Sequence, residues 1–339
     1  MIGVKLFTVA AYILGATGLC LMSWPIILIT VFIIGVQATI FSPAIYGSIP
    51  ELYPAEYVVR ANGIFNAAAN TAILAGIAGA GIVLDIKGSG DKISLGVHLM
   101  AGICIILAVA GFIASTLVPK FPAASPKAKF PRRGPFESVA ALLGTREDSL
   151  LAKSIFAKAF FWFTGSLQVL IINAMVLSQF KQTMTMTSVM VGIELIGIGA
   201  GSILSPIFAK GERWYRGLVP SALLMAGAMF AVAAIPYLPA QACKPVVVCA
   251  LVLIGIGGGI FCIPVTSFVQ VRPAAEIKGK MIAASNLADF TGILLAGAVY
   301  FVVDQLHIKP SSCFALEGLI VMVMVVWLIT ALPKGSENA

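Results

Sequence analysis

The chain has 339 residues, of which 60% are hydrophobic and 11% are charged, and it carries a formal net charge of +8. Soluble globular proteins carry about 25% charged residues, and a mean hydropathy of +1.02 leaves more apolar surface than a water-soluble core can bury. These values exclude a soluble globular protein and predict that most of the chain lies in lipid.

Ten apolar segments follow one another along the chain, each close to the length of about 20 residues that a helix needs to cross a bilayer. Backbone groups in hydrocarbon must form hydrogen bonds within their own segment, so each segment is predicted to be a helix. The segments run over 4–22, 25–48, 59–84, 95–118, 151–178, 185–209, 217–236, 246–270, 280–303 and 312–332. The predicted fold class is therefore an all-α integral membrane protein of about ten transmembrane helices.

Residues 119–150 differ from the rest because they are rich in proline and basic residues. They contain one short amphipathic stretch, Phe136–Leu143, and this composition is typical of a linker that lies along the membrane surface. The predicted linker divides the chain into two parts: residues 1–118 contain four predicted spans, and residues 151–339 contain six.

The lysine and arginine residues are distributed unevenly between alternating loops. If the linker is cytoplasmic, 17 of the 22 basic residues lie inside, and the five that lie outside are Lys87, Lys92, Lys181, Lys244 and Lys309. The positive-inside rule then places both termini in the cytoplasm. Topology and anionic lipid head groups account for the positive net charge, so the charge gives no reason to expect a nucleic-acid partner.

An internal repeat appears when the chain is shifted by 220 residues. Phe41 then aligns with Phe261, Glu56 with Glu276, and Asn66 with Asn286. Each copy is predicted to be a helix, a short charged loop with proline at the cytoplasmic face, and a second helix. Two similar halves around a basic linker are one pattern of secondary transporters, which bind substrate between the halves near the middle of the membrane. The sequence therefore predicts two pseudo-symmetric halves.

The stretch FSPAIYGSIPELYPAEYVVRANG, which begins at residue 41, carries a recognisable signature. It resembles the major facilitator superfamily, and within it the bacterial lysophospholipid transporters, which have a similar FxPxKYGxLPEL…ANG pattern between their fourth and fifth helices. The matching residues are Phe41, Pro43, Tyr46, Gly47, Pro50, Glu51, Leu52, Ala61, Asn62 and Gly63. Two positions depart from the pattern: Ile45 replaces the usual lysine, and Asn66 stands where an acidic residue often follows ANG.

The resemblance also carries expectations about architecture. Because the family commonly has twelve helices, the chain is expected to correspond to the third through twelfth helices, with an N-terminal half that lacks the first two. The resemblance further implies that Arg213 and Arg216, in AKGERWYRG, lie in a basic gating loop at the cytoplasmic face.

Two acidic residues, Glu194 and Asp289, are predicted to lie near the middle of their spans. An ionisable group at this depth costs about 2.5–3.5 kcal/mol on insertion scales and is a functional candidate by default. Each carboxyl could bind a proton or substrate; equally, it could be a protonated or hydrogen-bonded group that holds helices together.

Several amides are candidates for the same cavity. Asn66 and Asn70 are four residues apart and share a helix face, while Asn286 lies three residues before Asp289. We expect these faces of the third and ninth spans to meet at a common substrate cavity, with hydrogen bonding between helices as the alternative. Gln168 and Asn173 in the fifth span are weaker candidates of the same kind.

Other charged residues are expected near the cytoplasmic face. Lys153 and Lys158 begin the fifth span, where lysine side chains usually extend to lipid phosphates; contact with an anionic substrate head group is the less common use. Glu56 and Arg60 are candidates for an ion pair that opens as the halves move, and a solvated pair is the simpler interpretation.

Enzyme chemistry finds little support in the sequence. The two histidines, His98 and His307, begin no acyltransferase motif, and no phosphate-binding loop of the GK[ST] type is present. The six cysteines lack metal-site spacing. We therefore expect no catalytic residues, no metal and no cofactor.

The leading hypothesis is a secondary transporter that moves lysophospholipid or a related amphiphile across the bacterial inner membrane by alternating access. One alternative is a proton-coupled exporter of a small hydrophobic solute, suggested by Glu194 and Asp289. Another is a membrane scaffold that does not transport and that partners a phospholipid acyltransferase. The expected partners are therefore membrane lipid, an amphiphilic substrate and, in the last case, the acyltransferase.

Overall fold

The computed structural model describes residues 2–84, 86, 95–118, 134–209 and 211–332, and these residues form α-helices joined by short connections. The eleven helices are α1 Ile2–Cys20, α2 Trp24–Leu52, α3 Ala55–Leu84, α4 Leu95–Thr116, α5 Gly134–Gly144, α6 Ser149–Ala174, α7 Met184–Phe208, α8 Leu218–Ala233, α9 Ala240–Val271, α10 Lys278–Gln305 and α11 Pro310–Ala331. The predicted all-α fold class is confirmed.

Ten of these helices coincide with the ten predicted spans, and α5 coincides with the predicted amphipathic stretch. Among the described residues, eight helices are long and apolar enough to cross a membrane. The apolar part of α1 is the shorter run Lys5–Cys20, and α3 is not among the eight. Ten spans therefore remain a prediction, and residues 119–133 of the predicted linker lie outside the described residues.

The signature stretch is more helical than the sequence predicts. We expected helices to end at residue 48 and to resume at residue 59, whereas α2 continues to Leu52 and α3 begins at Ala55. Only Tyr53 and Pro54 separate the two helices. Pro43 and Pro50 lie inside α2, because a membrane helix tolerates proline where nearby groups satisfy the freed backbone carbonyl. The predicted loop boundaries were therefore wrong.

Two compact units make up the chain. The first comprises Met1–Ser48 and Ala75–Phe130, and the second comprises Ile49–Leu74 and Pro131–Ala339. In the first unit α1 packs against α4. Lys5 Nζ also lies 4.6 Å from the ring centroid of Phe41, which ties the start of α1 to the signature segment of α2. The predicted halves, 1–118 and 151–339, remain a prediction.

In the second unit α9 is the central helix. It packs against α6, α7 and α8, while α6 packs against α10 and α8 against α11. Of the eight candidate spans, α9 is the most buried. A helix whose only charged residue, Lys244, lies in its second turn suits this place, because a helix that is apolar on all sides is buried among neighbours.

Small residues set the distance between α7 and α9. Gly197 and Gly201 on α7 face Gly255 and Gly259 on α9, and a Cβ atom on any of the four would come closer than 3.0 Å to a backbone atom of the other helix. Both pairs have the spacing G-x-x-x-G, which lets membrane helices approach until their backbones touch. The glycines of these two segments therefore serve helix packing.

Candidate functional site

A buried ion pair joins α6 to α10 in the second unit. Lys158 Nζ lies 2.8 Å from Asp289 Oδ2, and each side chain is only 9% exposed. Lys158 Nζ also donates a hydrogen bond to Ser285 Oγ at 3.2 Å. We call Lys158, Ser285 and Asp289 the ionic cluster.

The backbone geometry explains how these side chains meet. A Cβ atom at Gly292 would lie 2.6 Å from the carbonyl oxygen of Ala159, so α6 and α10 are in direct backbone contact one residue away from Lys158. The start of α6 is fixed separately, because Asp148 Oδ1 accepts a hydrogen bond of 3.1 Å from the backbone N–H of Leu151. This N-cap satisfies a backbone N–H in the first turn of α6.

The ionic cluster lies well inside both helices. Lys158 is nine residues after the start of α6, and Asp289 is eleven residues after the start of α10. At a rise of 1.5 Å per residue these positions lie about 13 to 17 Å from the helix ends, close to half the thickness of a bilayer core. Pairing is what makes two charges tolerable at that depth.

The expectation for Lys158 was wrong. We expected its side chain to extend to lipid phosphates at the cytoplasmic face, whereas it is buried and paired with Asp289. Lys153 also points to protein, since its Nζ donates a hydrogen bond of 2.6 Å to the carbonyl oxygen of Ala331. That contact satisfies a carbonyl at the C-terminus of α11 with a positive charge.

A second buried group contains two acidic side chains. Glu194 on α7 is 5% exposed, Gln168 on α6 is 2% exposed, and Glu317 on α11 is fully buried. Glu317 interacts electrostatically with both Glu194 and Gln168. Within the described structure, Gln168 Nε2, Glu194 Oε2 and both carboxyl oxygens of Glu317 are buried without a hydrogen bond. We call these three residues the carboxyl cluster.

Sequence reasoning missed Glu317 because it lies only five residues after the start of the predicted last span, which suggested a position near the membrane surface. The structure places it seven residues after the start of α11, with no exposed surface. A reciprocal contact fixes this position: Gln179 Nε2 donates to Ser311 Oγ at 3.0 Å, and the Ser311 backbone N–H donates to Gln179 Oε1 at 3.0 Å. Gln179 ends a π-helical turn that follows α6, so α6 directly positions α11.

The asparagine of the signature anchors α3 to α9. Asn62 Nδ2 donates hydrogen bonds to Ser267 Oγ at 2.9 Å and to Gln270 Oε1 at 2.8 Å, and Gln270 Nε2 donates back to Asn62 Oδ1 at 3.3 Å. All three side chains are buried. We call them the amide cluster.

The glycine beside Asn62 has a different role. A Cβ atom at Gly63 would overlap the carbonyl oxygen of Ser202 on α7, so only glycine permits this approach. One turn further along α3, Asn66 Oδ1 accepts hydrogen bonds from Asn70 Nδ2 at 2.8 Å and from Ser202 Oγ at 3.1 Å. Asn66 and Asn70 therefore do share a helix face, and that face contacts α7.

The residues predicted to line a common cavity contact different neighbouring helices. Asn66 contacts α7, while Asp289 contacts α6. Asn286 on α10 has a partner and is half-buried, and Asn173 on α6 is also half-buried. A common cavity for Asn66, Asn70, Asn286 and Asp289 remains a prediction.

The signature residues from Phe41 to Leu52 lie on α2. Phe41 is buried, and the residues that are half-buried are Pro43, Tyr46, Gly47 and Pro50. Glu51 is exposed at the end of the helix. These positions suit packing residues, with Glu51 at the surface.

The predicted gate residues lie at helix ends. Glu56 and Arg60 are exposed on the first turns of α3, and Arg216 is exposed in the 3₁₀ turn Gly211–Gly217. The side chain of Arg213 lies outside the described residues. In the described part of the chain, the ion pair at a helix end is instead Arg272 Nε with Asp148 Oδ2 at 2.8 Å.

That exposed pair links the end of α9 to the start of α6. Partial burial disfavours the charged form of Asp148, but the hydrogen bonds from Arg272 and the Leu151 N–H, together with the Arg272 charge, outweigh burial and lower the pKa of the Asp148 carboxyl. The carboxyl therefore stays ionised and holds the N-cap at neutral pH.

An apolar groove of about 450 Å³ runs along α6 and α10. Its walls include Phe156, Phe160 and Phe163 on α6 and Leu295 on α10, and its end near α5 includes Leu142. Sites for small ligands have volumes of about 300–1,000 Å³, so the groove has room for a hydrocarbon chain.

Long apolar helices, charges paired at bilayer depth and a closely packed glycine interface define a polytopic α-helical membrane protein of the transporter type. The sequence profile of the Major Facilitator Superfamily matches residues 2–297. The chain belongs to the Major Facilitator Superfamily. The resemblance seen in the signature is thereby confirmed, as is the expectation that the protein is not an enzyme.

Curated relatives and solved structures agree with this assignment. The lysophospholipid transporter LplT of Yersinia pestis is 29% identical over 284 residues, which cover 81% of this chain and 64% of the relative. The chain thus spans less than two thirds of that relative's length. The fucose:proton symporter FucP of E. coli shares the fold with a TM-score of 0.69 at 16% identity, and the match covers 98% of this chain and 84% of FucP. The human organic anion transporter MFSD10 shares it with a TM-score of 0.73 at 15% identity, and the match covers 97% of this chain and 76% of MFSD10.

Proposed function

We propose that the protein is a secondary transporter that moves a lysophospholipid or a related amphiphile across the bacterial inner membrane by alternating access. The observation that carries this proposal is the ionic cluster, a lysine and an aspartate paired in the interior of two membrane helices. The similarity to proteins named lysophospholipid transporters supports the choice of substrate.

The chemistry of the site suits an anionic amphiphile. The ammonium group of Lys158 is a compact positive charge that can bind a phosphate, and Asp289 holds it in place while no substrate is bound. A phosphate that displaces Asp289 from Lys158 would break the ion pair between α6 and α10, so that the two helices could move relative to each other. The apolar groove along the same two helices is the proposed place for the acyl chain.

Uptake of labelled lysophosphatidylethanolamine by spheroplasts that lack their own activity tests this proposal. Lys158→Ala should lower the uptake rate at least tenfold, because a hydrogen bond to a charged group contributes about 1.5–3 kcal/mol, and about 1.4 kcal/mol is a factor of ten. The matched control is Lys280→Ala, which removes an exposed lysine from α10 and should leave the rate unchanged.

Folding must be separated from transport, because an unpaired Asp289 destabilises the helix pair. Lys158→Arg keeps the charge and should stay folded, but it should transport poorly if the compact ammonium contacts the phosphate. Wild-type uptake equal to that of an empty vector, or full activity of folded Lys158→Ala, would reject the proposal.

The burial of Glu194 favours the second hypothesis, a proton-coupled exporter of a small hydrophobic solute. Efflux of such a solute that stops when the proton gradient is collapsed, without uptake of lysophospholipid, would support it. The scaffold hypothesis, with a phospholipid acyltransferase as partner, predicts neither activity and is distinguished by co-purification with that enzyme.

A further inference from the structure

The ionic cluster contains an acceptor atom that the rest of the described protein does not use. Asp289 is 6% exposed, and its Oδ2 atom is paired with Lys158 Nζ at 2.8 Å. Its second carboxylate oxygen, Oδ1, is buried and has no hydrogen-bond partner among the described residues. A buried acceptor without a donor costs free energy, so a donor on a bound molecule would stabilise this oxygen.

Both members of the ion pair adjoin the apolar groove. Ala159 follows Lys158 on α6, and Ala288 precedes Asp289 on α10. Both alanines line the groove. A molecule whose hydrocarbon chain lies in the groove would therefore have its polar end beside the ion pair.

The groove itself offers little to a polar head group. The threonines in its lining are Thr145 and Thr291, and each donates its hydroxyl to a backbone carbonyl oxygen earlier in the chain, that of Leu142 at 2.6 Å and that of Leu287 at 2.8 Å. The contacts that recognise a head group must therefore come from the ionic cluster.

The balance of charge indicates which donor fits Asp289. In the proposed function a phosphate takes the place of Asp289 at Lys158. The site would then hold one positive charge, on the lysine, and two negative charges, on the aspartate and the phosphate. Charges inside a membrane protein are tolerated when they are paired. A cationic donor on the same head group would restore that balance, whereas a neutral donor would not.

We propose, on the basis of the proposed function, that Asp289 determines head-group specificity by accepting a hydrogen bond from the protonated amine of a zwitterionic substrate. The phosphate contacts Lys158, and the ammonium group of an ethanolamine-type head group, two carbon atoms further along, contacts the Asp289 carboxylate. No covalent bond forms or breaks, and the cluster stays electrically neutral with substrate bound. The preferred substrate class is an amphiphile whose phosphate is followed by an amine that carries N–H.

Methylation of the amine tests this inference in the wild type. Lysophosphatidylethanolamine, its N,N-dimethyl form and lysophosphatidylcholine, all with the same acyl chain, carry the same positive charge, but their ammonium groups have three, one and no N–H donors. The initial uptake rate in spheroplasts should fall at least about tenfold from the dimethyl to the choline form, because a hydrogen bond to a charged group is lost. The two forms that keep an N–H should differ much less.

Asp289→Asn assigns the preference to this residue. Asparagine keeps an acceptor oxygen for Lys158 but removes the charge, so the ratio of the dimethyl rate to the choline rate should shrink at least about threefold, because hydrogen bonds to neutral groups are weaker. The matched control is Asp304→Asn, which removes an exposed carboxyl group from the same helix and should keep the wild-type ratio. A ratio of two rates in one preparation does not depend on how much protein folds.

Equal wild-type rates for the dimethyl and choline forms would overturn the inference, as would an active Asp289→Asn variant that keeps the wild-type ratio. The wild-type series decides the matter even if Asp289→Asn proves inactive. Equal rates that Lys158→Ala still lowers would reject this inference and leave the proposed function standing. Absence of uptake for all three head groups would reject the proposed function and this inference with it.

Discussion

Two adjacent signature residues, Asn62 and Gly63, contact two different helices. Asn62 forms side-chain hydrogen bonds with Ser267 and Gln270 on α9, while Gly63 lets the backbone of α7 approach at Ser202. Successive residues on a helix point about 100° apart, so one dipeptide can contact two neighbours. The pattern ANG is thus explained by packing of α3 in the second unit.

Asn62→Ala should destabilise the protein by about 1–3 kcal/mol, because it leaves the buried Ser267 and Gln270 side chains without their partner. The thermal midpoint in detergent measures the effect. Asn70→Ala is the matched control: Asn70 is half-buried, and Asn66 keeps its hydrogen bond from Ser202 when Asn70 is removed. Equal midpoints for the two variants would show that the amide cluster does not hold α3.

The α7·α9 pair shows how glycine spacing becomes tertiary structure. The two G-x-x-x-G segments allow backbone contact over two turns of each helix, and that contact fixes the side of α7 that carries Glu194. Because α9 also packs on α6 and α8, a substitution that separates α7 from α9 would displace most of the second unit.

Gly259→Leu should therefore lower stability by at least about 1–3 kcal/mol, the usual cost of overpacking a filled interior. Its Cβ alone would already overlap the backbone of α7 at Ile198. Gly227→Leu on α8 is the control, since nothing lies within 4 Å of a Cβ there. The yield of monodisperse protein and its melting temperature report the difference, and a well-folded Gly259→Leu would contradict the assigned packing.

At the scale of the whole molecule, the uneven distribution of basic residues predicts the orientation in the membrane. We propose that both termini and the α9–α10 loop face the cytoplasm, since 16 of the 22 lysine and arginine residues then lie on that side, in addition to Lys158, which is buried between α6 and α10. The bacterial inner membrane is the proposed location, in keeping with the bacterial source of the LplT relative.

Cysteine labelling tests this orientation. In a cysteine-free background, a membrane-impermeant maleimide added to spheroplasts should label Lys309→Cys, between α10 and α11, and should not label Glu276→Cys, between α9 and α10. Both residues are exposed, so a difference in labelling reports sidedness. The reverse pattern would require the opposite orientation, with both termini outside.

The sequence alone was enough to predict that the protein lies in a membrane and where its helices are. Apolar composition and segment length predict membrane helices, and ten predicted segments coincide with helices of the structure. The signature that begins at Phe41 was sufficient to identify the family. The boundary between α2 and α3 was missed, because proline and charge mark a loop in sequence although the helix continues through them.

Only the tertiary structure decided which polar groups meet. Lys158 and Asp289 are 131 residues apart, and Gln168, Glu194 and Glu317 come from three helices. In a membrane helix the faces toward lipid and toward protein are both apolar, so hydropathy does not reveal the rotation of the helix. Backbone contacts at glycines and the contacts that fix helix ends set that rotation, and with it the pairing of the buried charges.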